Sequence, residues 1–298
     1  MKRLISANTS EMLAMNAAEL KQSIKASEGR VILSENVATR ETYVGDITNA
    51  EIARAFGADL ILLNCVDVLE PDIYGLEHDK DNFVSELHRL VGRPIGVNLE
   101  PVDLEAEMLE DRLEIPKGRQ LNLDTVKRLE ELGFDFVCLT GNPGTGVTNE
   151  QIEKAIRLTK EHFSGMVIAG KMHGAGSDEP VADLATAKKF VEAGADVILV
   201  PAVGTVPGFD TDELKCVVKE VHRCGGLVLS AIGTSQESSD EDTIKEIAIM
   251  NKICGVDIQH IGDAGYGGVA PVENLLAISK ALRGVRHTVS MIARSINR

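Results

Sequence analysis

The sequence predicts a closed (β/α)8 barrel, a TIM barrel, carrying an extra N-terminal helix. Three observations predict it. Eight short apolar runs recur between segments of helical period. The alternation fills residues 30–284, the usual extent of such a barrel. A Gly-x-Asp signature returns four times along the chain. The apolar runs read as near-continuous Val, Ile and Leu, the pattern of parallel strands covered on both faces. A doubly wound open sheet is the competitor, and eight regular repeats without a second domain favour closure. One domain over residues 1–298 follows, with a barrel core at about 30–284, an N-terminal helical segment at 1–29 and a C-terminal tail at 285–298.

Residues 10–26 read as the extra helix, with Met12, Leu13, Leu20 and Ile24 as an apolar set. That set suits a plug on the barrel bottom or an oligomer contact. The first strand falls at 30–37, with a helix at 49–56. The second falls at 59–68, followed by an acidic excursion at 72–81 that suits a lid. The third, 94–101, leads into a charged and exposed insert at 105–118 and a helix at 123–132. The remaining strands fall at 135–141, 166–173, 196–203, 227–233 and 256–262. Their helices fall at 149–162, 183–193, 212–223, 241–252 and 271–283. Beyond Gly284 the tail suits either a last short helix or an interface arm.

The repeat supplies a register. Gly57-Ala-Asp59, Gly133-Phe-Asp135, Gly194-Ala-Asp196 and Gly255-Val-Asp257 each precede an even-numbered strand. The Gly suits a left-handed helix C-cap, and the Asp a structural role at the bottom of the barrel. Five residues after each Asp come Asn64, Thr140, Pro201 and Gly262, expected at the mouth. Three residues after come Leu62, Cys138, Leu199 and His260, which share parity with the mouth residues and point inward. His260 reads as a core histidine first and a catalytic one second.

Composition excludes several function classes. A net charge of −15 repels nucleic acid and anionic membranes, while leaving room for a locally positive pocket that takes a small anionic metabolite. Aromatics are 3% and Trp is absent, so base or sugar stacking has few tools. The five cysteines include no CxxC pair, which argues against a disulfide framework or a cysteine zinc site. Neither a signal-peptide core nor a membrane-length apolar run is present, so a cytoplasmic location is expected. Barrel helices commonly pack between copies, which points to a homo-oligomer.

Candidate chemistry gathers where strands end. The segments Ala231-Ile-Gly-Thr-Ser-Gln236 and Gly262-Asp-Ala-Gly-Tyr-Gly-Gly268 follow strands 7 and 8, where Gly-rich backbone and a helix N-terminus favour an anion. Here the chain resembles the phosphate-binding TIM-barrel superfamily. The resemblance implies phosphate contacts from Gly233, Thr234, Gly265, Gly267 and Gly268, with Gly262 and Asp263 beside them. Gly141-Asn-Pro-Gly-Thr-Gly146 offers a second anion nest.

Lys171 and His173 share one face at the end of strand 5. A lysine there can form a Schiff base or bind an anion, and His173 suits general acid/base work or metal ligation. Glu35 and Glu100 end strands 1 and 3; Asn64, Asn98, Thr140 and Asn142 sit at the same level. Glu35, Glu100 and His173 make a candidate Mg²⁺ or Mn²⁺ triad. Alternatively, Glu35 is a base with Lys171 as its ion partner. No other cofactor is expected, since Ser34-Glu-Asn-Val lacks a dinucleotide-binding glycine pattern.

From SANTSEMLAMNAAELKQSI to GDAGYGGVAPVENLLAISKALRG, the whole chain resembles an uncharacterised bacterial TIM-barrel family. Its members are labelled haloacid dehalogenase-like or phosphoenolpyruvate phosphonomutase. The nearest approach to a dehalogenase nucleophile motif, Asp240-Glu-Asp-Thr-Ile244, reads instead as a helix N-cap, and no family catalytic residue is carried over.

These readings favour an enzyme acting on a small phosphorylated or carboxylated metabolite by lyase, aldolase or isomerase chemistry. Lys171, His173, Glu35 and Glu100 are its candidate catalytic residues. A Mg-dependent phosphonomutase-like enzyme or hydrolase is the second reading, and a non-catalytic sugar-phosphate-binding barrel the third.

Overall fold

A computed structural model of the chain describes residues 2–77, 79–109, 111–177 and 179–298. Its eight strands are β1 (Val31–Val37), β2 (Leu60–Asn64), β3 (Ile95–Leu99), β4 (Phe136–Leu139), β5 (Met166–Gly170), β6 (Val197–Pro201), β7 (Leu227–Ile232) and β8 (Ile258–Ile261). They pair in parallel in sequence order, and β8 pairs back to β1, closing the barrel. Every strand residue is buried, as runs without polar alternation require. Most strands are shorter than their apolar runs because the last residues of a run turn off into the mouth.

The outer helices are α3 (Asn49–Ala55), α4 (Phe83–Val91), α5 (Leu123–Leu132), α6 (Asn149–His162), α7 (Leu184–Ala193), α8 (Thr211–Arg223), α9 (Glu241–Ile253) and α10 (Val272–Ala293). α4 fills the interval between the second and third strands, where no helix is singled out above. It buries Phe83, Val84, Leu87 and Val91 and follows the 72–81 excursion, of which His78 lies outside the described residues. α10 turns sharply at Gly284, whose φ of 67° and ψ of 170° leave helical space, and then continues to Ala293. The tail is therefore helical and held to the bottom: Arg93 donates to the Met291 carbonyl at 3.0 Å, and Arg54 to the Arg294 carbonyl at 2.6 Å.

The single N-terminal helix expected at 10–26 is two, α1 (Thr9–Leu13) and α2 (Ala17–Lys25). The break falls at Asn16, whose side chain accepts the Glu19 N–H while Glu19 returns a bond to the Asn16 N–H, a reciprocal cap that starts a new helix. Leu4, Ile5, Met12, Leu20 and Ile24 join the interior residues Leu33, Leu62, Phe136, Cys138, Leu199 and Leu229 in one core. The segment thus plugs the barrel bottom, and burial of each large apolar side chain contributes about 1.5–3 kcal/mol. A second core lies between strands and outer helices. Gly96 makes room for Phe136: a Cβ there would lie 2.2 Å from its ring.

The Gly-x-Asp repeat does one job four times. Each Gly caps its helix at positive φ. Each Asp then accepts an N–H from the start of the preceding strand: Asp59 from Ile32 (2.9 Å), Asp135 from Ile95 (2.7 Å), Asp196 from Val167 (3.1 Å) and Asp257 from Val228 (2.9 Å). Each also meets a basic side chain, Arg283, His88, Lys160 and His222 respectively. Among the described residues no helix is long and apolar enough to cross a membrane.

Candidate functional site

The register places Glu35, Asn64, Asn98, Thr140 and Gly262 around one cavity of 390 Å³ at the C-terminal end of the barrel, together with Asn142, His173, Gly233, Thr234, Asp263 and Gly265. Barrel strands end there with their side chains converging, which is why this face can hold a ligand. Pro201 lines an adjoining, largely apolar cavity that shares His173 and Gly174.

One wall is a web of buried amides. Asn64 Nδ2 donates to Asn142 Oδ1 (2.9 Å), and Asn142 Nδ2 returns a bond to Asn64 Oδ1 (3.0 Å). Asn64 Nδ2 also donates to Asp263 Oδ2 at 2.9 Å, and Asn98 Nδ2 donates to Asn64 Oδ1 at 3.3 Å. Glu100 anchors the web: it accepts the Asn142 N–H and side-chain amide, both at 2.8 Å, and Arg119 Nη2 at 2.8 Å. Such a network fixes its members in place.

Glu35 stands on the β1 side of the cavity. His260 Nε2 lies 2.9 Å from its Oε2, while its other carboxylate oxygen has no partner among the described residues. Burial pushes the Glu35 carboxyl above its ordinary range, and Asp263 and Glu237 add to the rise. His260 is fully buried, with Nδ1 unpartnered. The inward register is as expected, but His260 meets the mouth rather than only the core, because barrel closure sets Leu33 beside His260 and brings Glu35 next above it.

His173 comes from the opposite side, after β5. Its Nδ1 accepts the Ala175 N–H at 3.0 Å, so that nitrogen carries no proton. Burial, followed by the Lys171 charge, lowers its pKa. The ring is therefore neutral with its proton on Nε2, free to donate into the cavity.

Lys171 and Glu100 do not line this cavity. Lys171 is 1% exposed and donates to Ser177 Oγ (3.0 Å) and Glu179 Oε2 (2.9 Å). Glu179 in turn accepts the Asn149 N–H at the start of α6. Lys171 thus pins the loop that carries His173. The alternative pairing of Glu35 with Lys171 does not form, since each has another partner. The triad of Glu35, Glu100 and His173 does not converge either. Both Glu100 oxygens are taken by donors, and among the described residues no three Asp, Glu, His or Cys side chains gather as a metal site. The residues present do not fit Mg²⁺ or Mn²⁺ in the expected arrangement.

The loops after β7 and β8 differ from the expected clamp. Gly233, Thr234 and Gly265 line the cavity, whereas Gly267 and Gly268 do not. The Gly267 N–H donates to the Ala264 carbonyl and the Gly268 N–H to the Asp263 carbonyl, both at 3.2 Å. Gly268 is required by packing: a Cβ there would lie 1.9 Å from Thr42 Oγ1. Among the described residues no Lys or Arg lines the cavity, and three carboxylates do: Glu35, Glu237 and Asp263. Glu237, unforeseen in the sequence, is buried with Oε2 unpartnered, and burial raises its pKa. Only its position in the loop after strand 7 hinted at it.

Four buried polar side-chain atoms without a partner belong to cavity-lining residues: Asn98 Oδ1, Thr140 Oγ1, Glu237 Oε2 and the Tyr266 hydroxyl; others, Asp59 Oδ1 and Arg93 Nε among them, lie at the barrel bottom. Such atoms are destabilising when left unmet, and these four are the ones that a polar ligand in the cavity would meet. The insert at 105–118, expected to be movable, is bonded across the mouth. Leu109 donates to the Gly176 carbonyl (2.9 Å) and Leu113 to the Gly144 carbonyl (2.8 Å); Glu110 lies outside the described residues.

The chain belongs to the family described as a domain of unknown function, DUF7916, whose model matches residues 5–298. No curated protein matches it. Among solved structures it is similar to a candidate lyase/mutase from Burkholderia cenocepacia J2315, at 15% identity and a TM-score of 0.53 over 88% of this chain and 83% of that one. It is also similar to the BexX/CysO complex of Amycolatopsis orientalis, at 12% identity and a TM-score of 0.52 over 88% and 91%. A third neighbour is 2,3-dimethylmalate lyase, a PEP mutase/isocitrate lyase superfamily member, at 13% identity and a TM-score of 0.49 over 86% and 81%. The first two likenesses show the shared barrel.

Proposed function

We propose that the protein is an enzyme that moves a proton on a small carboxylated or phosphorylated metabolite, in lyase, aldolase or isomerase chemistry at the barrel mouth. The observation that carries this reading is the Glu35–His260 pair, buried beneath a cavity rimmed by unpartnered polar atoms. Glu35 is the base. Its raised pKa makes the carboxylate a better proton acceptor, and its partner-free oxygen is the one available to substrate. His260 holds the carboxylate in place and shares the proton that Glu35 takes up. His173 Nε2–H, on the far wall, donates to the oxygen on which negative charge develops. Asn98 and Thr140 orient the substrate, and Lys171 is a positioning residue for His173. Names of the neighbours, one a lyase and one a candidate lyase/mutase, agree with this class of chemistry.

The test is incubation with a panel of small oxo acids and phosphorylated acids, pyruvate and phosphoenolpyruvate among them, in D2O, with and without Mg²⁺, followed by proton NMR. Deuterium exchange or cleavage that falls at least about a hundredfold in Glu35→Gln supports the reading. A compound that raises the melting temperature yet is neither exchanged nor cleaved would make the protein a binding barrel instead.

A further inference from the structure

We propose that a second cavity behind Tyr266, lined by Arg40 and Arg119, is the subsite that seats the anionic end of the substrate. The inference rests on the reading of the mouth as the reacting centre and adds to it where the charge of the substrate goes.

The main cavity is a poor seat for an anion, having three carboxylates and no Lys or Arg in its lining. The adjoining cavity, of 280 Å³, has the opposite character. Arg40, Arg119, Thr39, Cys65 and Tyr266 line it, and among the described residues no carboxylate does. Tyr266 lines both cavities, so one side chain separates the acidic compartment from the basic one. Its hydroxyl is buried without a partner, a donor left at that boundary.

Arg119 is built into the wall. It closes the 3-10 turn Lys117–Arg119, its carbonyl accepts the Glu100 N–H at 2.9 Å, and its Nη2 is held on Glu100 at 2.8 Å. The approach of this turn is tight, since a Cβ on Gly118 would overlap Asp67 Oδ1. Glu100 takes only one guanidinium nitrogen; among the described residues Nε and Nη1 have no partner. A guanidinium with its fork unfilled is suited to a planar carboxylate or a phosphate. Arg40 makes no side-chain hydrogen bond or ion pair among the described residues, so it is a cation with no internal task. In a chain of net charge −15, two such guanidinium groups in one cavity beside the mouth give an anion the local attraction that the rest of the surface denies it.

The probe is inorganic phosphate, titrated into the full chain by calorimetry, with phosphoenolpyruvate as competitor. Wild type is expected to bind phosphate and to exchange it for phosphoenolpyruvate. Arg40→Gln, which breaks no internal bond, is expected to weaken phosphate binding about tenfold or more, and Arg119→Lys, which keeps a cation for Glu100, to weaken it severalfold. Thr234→Ala is expected to leave it unchanged. Loss in Thr234→Ala with full binding in both arginine variants would return the anion to the loops after β7 and β8 and overturn the proposal. So would phosphate binding that phosphoenolpyruvate does not displace, or no binding by wild type at millimolar phosphate. Glu35→Gln separates this proposal from the one beneath it. Intact phosphate binding with no Glu35-dependent exchange would sink the proton-transfer reading alone. Glu35-dependent exchange with phosphate binding indifferent to Arg40 and Arg119 would sink the subsite alone.

Discussion

At the bottom of the barrel, Asp59, Asp135, Asp196 and Asp257 each accept a strand N–H and meet one or more basic side chains from elsewhere in the chain. At the mouth, Glu35, Glu100, Glu237 and Asp263 have four different surroundings, and Glu35 and Glu237 each keep an oxygen without a partner among the described residues. Backbone conformation divides in the same way. Among the described residues seven non-glycines have positive φ, and six of these lie in mouth loops: Cys65, Ala175, Thr234, Ser235, Ala264 and Tyr266. The bottom repeats one solution, although Asp59 Oδ1 and Arg93 Nε stay without a partner there; the mouth repeats none and holds nearly all of the positive-φ backbone outside glycine. Strain of about 1–3 kcal/mol per residue persists only where surrounding structure enforces it, which is the signature of a site shaped for a ligand.

The largest effect is expected at the bottom. Asp59→Asn strips the counter-charge from Arg283, and both side chains are fully buried. Removing one partner of a buried pair is expected to destabilise by about 3–5 kcal/mol in urea unfolding. The same change at Asp196, whose partners Lys21 and Lys160 reach solvent, is expected to cost under about 1 kcal/mol. Equal losses at the two positions would show that the motif, rather than burial, sets the worth of each Asp.

Glu35→Gln tests the mouth in the other direction: activity is lost while stability is not. Because burial raises its pKa, folded Glu35 holds its proton more tightly than the unfolded chain does. The wild-type fold therefore gains from this group as pH falls through the folded-state pKa and loses that gain as pH rises through it. Thermal unfolding across that range should show a slope in wild type that Glu35→Gln lacks, with the variant the more stable at neutral pH. A variant that unfolds earlier at neutral pH would place Glu35 among the structural carboxylates instead.

This contrast also governs what the sequence could show. The four Gly-x-Asp positions repeat, so their strand register, inward parity and structural role follow from spacing alone, as Leu62, Cys138 and Leu199 in the interior core bear out. The mouth has no repeat. Glu35 and His260 are distant in the chain, and only closure of β8 on β1 makes them neighbours. Lys171 has the right strand end but turns to Glu179, and nothing in the spacing says which way a long side chain leaves a loop. Gly268 looked like a phosphate contact because glycine serves both ligands and packing; contact with Thr42 decides for packing. Arg119 lies one residue beyond the insert at 105–118, and nothing in the spacing singles it out.

Ala264→Gly sharpens the strain argument. Ala264 has a φ of 58°, where a Cβ is unfavourable by about 1–2 kcal/mol relative to glycine. The exchange is expected to stabilise by up to about 1 kcal/mol once the greater freedom of the unfolded glycine is subtracted. Turnover should fall at the same time, since the loop that places Asp263 and Tyr266 loses its fixed shape. Gain of stability with unchanged turnover would mean that the strain serves no positioning role.

The smallest expected effect lies at the bottom again. His222 sits 2.7 Å from Asp257 Oδ2, and that hydrogen bond raises its pKa against the lowering by burial. A raised histidine pKa stabilises the fold fully below the unfolded value near 6.5, and the contribution disappears as pH rises through the folded value. The imidazole is more than one-third exposed, so solvent screening holds the effect below about 1 kcal/mol. His222→Gln should flatten this shallow decline in stability on the alkaline side of the histidine range, while leaving the Glu35-dependent slope of the mouth intact. If the two changes altered the same part of the pH profile by coupled amounts, the two ends of the barrel would not be the independent electrostatic units that their separate partner sets describe.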